Sequence, residues 1–123
     1  MKLRPFKNLL LVTALMPFVL ACGDNPVTGD SPVSFSSDVQ PLLNTYCTQC
    51  HGLEGGLGLS SFQTVMTGGL SGASVVAGDG DASLLVKRME GTVSPVMPPV
   101  GQPLSADQIS VIRRWIDEGA QDN

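Results

Sequence analysis

Cys47-Thr48-Gln49-Cys50-His51 is the stretch on which the reading of this chain turns. Two cysteines three positions apart on a helical turn point the same way, and a histidine follows at once. That spacing is the attachment signature of a c-type haem, in which both thiols add to the porphyrin vinyl groups and the imidazole binds the iron. The thioethers would fix the macrocycle against one short segment, and the next residue is then held over the metal.

His51 is the only histidine in the chain. A Cys2His2 zinc finger needs a second one, and so does a bis-histidine haem within a single chain. A zinc site built from the two cysteines, His51 and a carboxylate stays open as an alternative. A thioredoxin-like redox disulfide would need a βαβ pattern that the sequence lacks.

The chain has 123 residues, room for one domain, and its 14 glycines and 9 prolines predict long irregular connections. Large side chains are scarce, with four Phe, one Tyr and one Trp. A core so poor in aromatic surface is marginal alone, and a buried haem would supply what is missing.

Residues 1–21 read as a secretory signal rather than as part of the fold. Lys2, Arg4 and Lys7 form a positive leader, and Leu9 to Leu20 form an apolar run too short for a comfortable membrane span. The run ends in Val19-Leu20-Ala21-Cys22, which resembles the lipobox of bacterial lipoproteins, with Leu20 bulkier than the small residue usual there. The resemblance implies cleavage before Cys22, lipidation of that cysteine and a lipid anchor in a membrane. The alternative is a plain signal cut nearby that leaves Cys22 a free thiol. Three cysteines are an odd number for an exported protein, and lipid on Cys22 with haem on Cys47 and Cys50 accounts for all of them. Without the leader, Lys87, Arg88, Arg113 and Arg114 face eleven acidic residues, a net charge of −7. Such a surface offers no basic patch for nucleic acid.

Residues 22–34, rich in Gly, Asp, Asn, Pro and Ser, read as a flexible tether, and the domain is expected over 35–123. Ser37 and Gln40 stand in a capping-box relation that opens a helix with Val39, Leu42, Leu43 and Tyr46 facing inward. Pro41 falls in its first turn and is expected to distort the start. After the motif, Gly55, Gly56 and Gly58 alternate with Leu57 and Leu59. Glycines admit a flat ligand close to the backbone, and the two leucines offer it apolar contact. A short helix is expected over 61–66, a loose stretch to Gly80, and a helix over 82–90 capped by Asp79 or Asp81 and stopped by Gly91. There Leu84, Leu85 and Met89 form the apolar face, with Lys87 and Arg88 on the wet one. Ser105 and Gln108 form a second capping box for a closing helix ending near Glu118 and Gly119, which should pack across the first. No strand is expected.

A sixth iron ligand must come from elsewhere. Met66 and Met89 fall at apolar helical positions, where methionine usually fills core. Met97 lies in a proline loop, with Pro95 before it and Pro98-Pro99 after it, which stiffens the backbone around the thioether. Rigidity lowers the entropy lost on binding iron, and His/Met is a standard cytochrome pairing. The alternative is a surface loop with Met97 merely packed.

Taken in order, Cys47 to Gly52, Gly55-Gly56-Leu57, Gly78 to Leu85, Met97-Pro98-Pro99 and Leu104 to Ala120 resemble the class I cytochrome c domain in its bacterial CxxCHG…MPP form. The resemblance covers about 35–120. It implies an all-α, cytochrome c-like fold of three to five helices joined by long Gly/Pro-rich loops around one covalently bound haem c. It also implies thioether links at Cys47 and Cys50, His51 as proximal ligand and Met97 as distal ligand. A six-coordinate iron leaves no position for substrate, so the expected role is one-electron transfer to or from a redox partner protein or dehydrogenase, not enzymatic turnover. The alternatives are a haem enzyme or gas or redox sensor with an open iron position, and a non-redox docking lipoprotein with a zinc or disulfide CxxC site. The expected location is the periplasmic face of a bacterial membrane. Gly23 is not the aspartate associated with inner-membrane retention, which tilts the expectation to the outer membrane.

Overall fold

The computed structural model describes residues 31–52 and 56–123. The expected signal peptide, Cys22, most of the tether, and Leu53 to Gly55 lie outside the described residues. Among those described there are four α-helices and no strand beyond an isolated bridge between Gly69 and Gly72. None of these helices is long and apolar enough to cross a membrane.

The first helix starts earlier than its sequence signal. Ser34, not Ser37, is the cap, and its hydroxyl accepts from the Ser37 N–H. A π-helical turn over Phe35–Val39 then leads into α1 (Gln40–Tyr46). The cause is Pro41. Its ring crowds the carbonyl four residues back and it has no N–H to donate. The widened turn, in which Gln40 N–H reaches back to the Phe35 carbonyl, relieves that conflict.

Helix α2 (Phe62–Thr67) carries a reciprocal Ser61/Thr64 capping box. Helix α3 spans Leu84–Glu90 and starts two residues later than expected, because Asp79 caps the preceding turn at Ala82 N–H instead. Helix α4 (Ala106–Asp117) has the expected Ser105/Gln108 capping box.

The stretch between α2 and α3 is not loose. Ser74 and Ser83 are both buried, and each satisfies main-chain groups in place of secondary structure. The Ser74 hydroxyl donates to the Val65 carbonyl at 2.8 Å, while the Ser83 hydroxyl accepts from Val76 N–H and donates to the Asp79 carbonyl. Gly78 N–H then donates to the Ile116 carbonyl at 2.7 Å, and Gly80 N–H to the Asp117 carboxylate at 2.7 Å.

The core forms where α4 meets the Phe35–Val39 turn and α3. Ile112, Trp115 and Ile116 of α4 are buried there with Val39, Leu43 and Val86. Trp115 lies 5.2 Å from Phe35 and 6.4 Å from Phe62 between ring centres, and Phe35 meets Phe62 edge-on at 5.4 Å. Three of the few aromatic residues are thus spent on one cluster. Arg113 ties α4 to α3 by pairing with both Asp81 and Glu90. Helix α4 touches α1 through Gln108, whose amide donates to the Tyr46 hydroxyl at 3.0 Å.

Packing also reaches back beyond Phe35. Val33 is buried, its N–H donates to Glu118, and Arg114 donates to the Ser31 carbonyl at 2.7 Å. Ser31 and Val33, both in the expected tether, are thus bonded to Arg114 of α4 and to Glu118, its C-terminal cap.

Candidate functional site

Helix α1 ends at Cys47, and the chain continues through one hydrogen-bonded turn to the histidine. Cys50 and His51 both donate their N–H to the Cys47 carbonyl, at 3.1 and 2.8 Å. This turn keeps both cysteines and the imidazole on one rim. Cys47 is partly buried, Cys50 is exposed, and both are free thiols. Burial pushes the Cys47 thiol up to about 11. The Nδ1 of His51 is buried and, among the described residues, has no hydrogen-bond partner. An unpaired buried nitrogen costs free energy unless something else engages the ring.

These residues open onto a cleft of about 430 Å³, within the ~300–1,000 Å³ of ordinary ligand sites. Every site residue expected in the domain lines it: Cys47, Cys50, His51, Leu57, Leu59 and Met97. Leu59 is also a core residue, 2% exposed. Its N–H donates to the His51 carbonyl at 2.9 Å, which holds the leucine wall against the motif. Met97 reaches the cleft from the far end of the chain, on the loop after α3, with Pro95, Pro98 and Pro99 beside it. Met66 does not line the cleft, whereas Met89 contributes to it from α3 as a buried core residue.

Several lining residues are not marked by the sequence pattern, Tyr46, Leu104 and Arg88 among them. Tyr46 was assigned to the core alone, and Leu104 lies just outside the α4 pattern. Arg88 was assigned to solvent, yet it sits three and four residues after Leu85 and Leu84, and all of them line the cleft. That spacing was the available signal. Among the described residues, Arg88 is the only lysine or arginine in the lining, and no acidic residue lines it.

The donor set fits a covalently held haem. Two thiols and an imidazole share one edge, a thioether stands on another segment, and the walls are apolar. Among the described residues no three His, Cys, Asp or Glu side chains converge to hold a metal ion.

Residues 47–101 match the family model described as Planctomycete cytochrome C. That match supports a cytochrome c-like domain, and the fold around it is all-α and cytochrome c-like. Its limits enclose the cysteine motif at one end and the Met97 loop at the other. No curated protein and no solved structure gives a match.

Proposed function

We propose that this chain is a mono-haem c-type cytochrome that carries single electrons. The observation that carries this reading is the convergence of Cys47, Cys50, His51 and Met97 on one apolar cleft from opposite ends of the matched segment. Cys47 and Cys50 would hold the haem by thioether bonds, and His51 and Met97 would bind its iron. When bound, the haem supplies a metal centre that accepts or gives up one electron.

The chain's own residues set the conditions for that step. The turn at the end of α1 fixes the thiols and the imidazole relative to each other. Leu57, Leu59, Leu85 and Met89 keep water from one wall, and exclusion of water tunes the potential. With His51 and Met97 both holding the iron, no coordination site would be left for a substrate. Lipidation at Cys22 would hold the carrier at the periplasmic face of a membrane, the outer one favoured by Gly23, where it would exchange electrons with a membrane-associated donor or acceptor.

The test is the visible spectrum of protein made in a host competent for c-type haem maturation, oxidised and reduced, followed by denaturation and acid extraction. Sharp reduced bands and colour that stays with the chain are expected, with all colour extracted from a Cys47→Ser/Cys50→Ser variant. Colourless protein despite competent maturation overturns the reading. Tight carbon monoxide binding by the reduced protein would shift it to an open-iron sensor or enzyme.

A further inference from the structure

Met97 sits on a strap with little else to hold it. Val93 to Val96 are exposed, as are Pro99 and Val100, and Val100 is 76% exposed. Side-chain burial therefore cannot fix where the thioether stands. What fixes the strap is the last turn of α3. Gly91 takes the left-handed conformation, φ 74°, so the chain turns back at the helix end. The returning strand then meets Arg88 twice. Met97 N–H donates to the Arg88 carbonyl at 2.9 Å, and the Arg88 guanidinium, through Nη1, donates to the Pro95 carbonyl at 3.2 Å. One residue thus grips the strap on both sides of Val96.

We infer that Arg88 is the positioning residue for Met97, holding the thioether over the cleft by clasping Pro95 with its side chain. The inference rests on the haem reading and deepens it. The main-chain bond at Arg88 survives any substitution, but the clasp on Pro95 needs a long side chain with a donor at its tip. Arg88 lines the cleft beside Leu84, Leu85 and Met89, so its stem packs along the same wall whose far end it fastens. Without the clasp the segment from Pro95 to Met97 keeps only its main-chain bond to Arg88, and the thioether spends more time away from the iron.

The experiment is a titration of the oxidised, haem-loaded protein with imidazole, which competes with Met97 for the metal. The loss of the weak far-red thioether-to-iron band gives the apparent dissociation constant. That constant reports the fraction of molecules with Met97 detached. A solvent-exposed hydrogen bond of this kind contributes about 1 kcal/mol, so Arg88→Leu should tighten imidazole binding about fivefold. Arg88→Lys retains a donor and should stay within about twofold of the parent. Thermal unfolding of the same proteins separates the roles, because a merely structural residue would lower the midpoint without changing the imidazole constant. Should Arg88→Leu fail to fold, Arg88→Gln, with a shorter donor, takes its place and should fall between the two. Equal imidazole constants for parent and variants overturn the inference, as does a haem-loaded parent with no far-red band. A parent without covalent haem instead overturns the cytochrome reading itself.

Discussion

The Leu59 N–H donates to the His51 carbonyl at 2.9 Å. This bond makes a fixed wall of residues 56–59, with Leu57 and Leu59 both lining the cleft that His51 borders. The wall is backed by a glycine. A Cβ on Gly69 would stand 2.9 Å from the Leu57 Cβ and 3.2 Å from its Cα. Gly69→Ala should therefore push Leu57 into the cleft and cost about 1–3 kcal/mol, as overpacking does. Denaturant unfolding, with haem content per chain as a second readout, would check it.

Met97→Ala should remove the far-red thioether band and lower the reduction potential, within the ~0.8 V over which axial ligands set haem potentials. Met66→Ala, by contrast, should leave both unchanged, because Met66 does not line the cleft. Spectroelectrochemistry reads both properties at once. An unchanged band in Met97→Ala would assign the ligand elsewhere, with Met89 next to test.

Trp115 is 1% exposed, packs against Phe35 and Phe62, and donates its indole N–H to the Gln121 carbonyl at 2.9 Å. Trp115→Ala should cost about 3–5 kcal/mol, the range for deleting a large buried aromatic. Trp115→Phe should recover much of the packing and leave the Gln121 carbonyl without its donor. Urea midpoints of the three proteins order the two effects.

Glu118 carries the pH dependence that the geometry predicts. The Val33 N–H, followed by the Arg114 guanidinium, holds its carboxyl below the ordinary 4.5. A carboxyl lowered by folding contributes stability that is present above its unfolded value and lost as pH falls through the folded one. Glu118→Gln should therefore be less stable than the parent near neutrality, and the two should converge on acidification below about 4.5. Thermal midpoints across the acid range test this. Parallel curves would show that Glu118 contributes nothing through its charge.

Features decided by near neighbours were legible in the sequence. The Ser105/Gln108 box, the Gly91 stop and the cysteine motif each depend on residues within one turn of one another. The start of α1 was misread because Pro41 acts backwards, on a carbonyl four residues earlier, and so shifts the cap from Ser37 to Ser34. Asp79 does cap, but a turn rather than a helix. The segment before α3 looked loose because its order is long-range: Ser74 bonds back to α2, and Gly78 and Gly80 bond to the end of α4. At the site, Met97 could be picked out because prolines mark it. Arg88 could not, because charge suggested solvent and its grip on Pro95 exists only once the strap has turned back.

The clasp between the two ends of the domain has a mechanical consequence. Phe35 N–H donates to the Asn123 side chain, Ser36 N–H to the Asn123 carbonyl, Val33 N–H to Glu118, and Arg114 to the Ser31 carbonyl. None of these residues lines the cleft that His51 and Met97 share. Tension arriving along the segment before Ser31 is therefore borne by bonds loaded together and passed into α4. The Met97 strap takes part in none of these bonds, so a pull on the segment before Ser31 loads them before it reaches the mouth of the cleft.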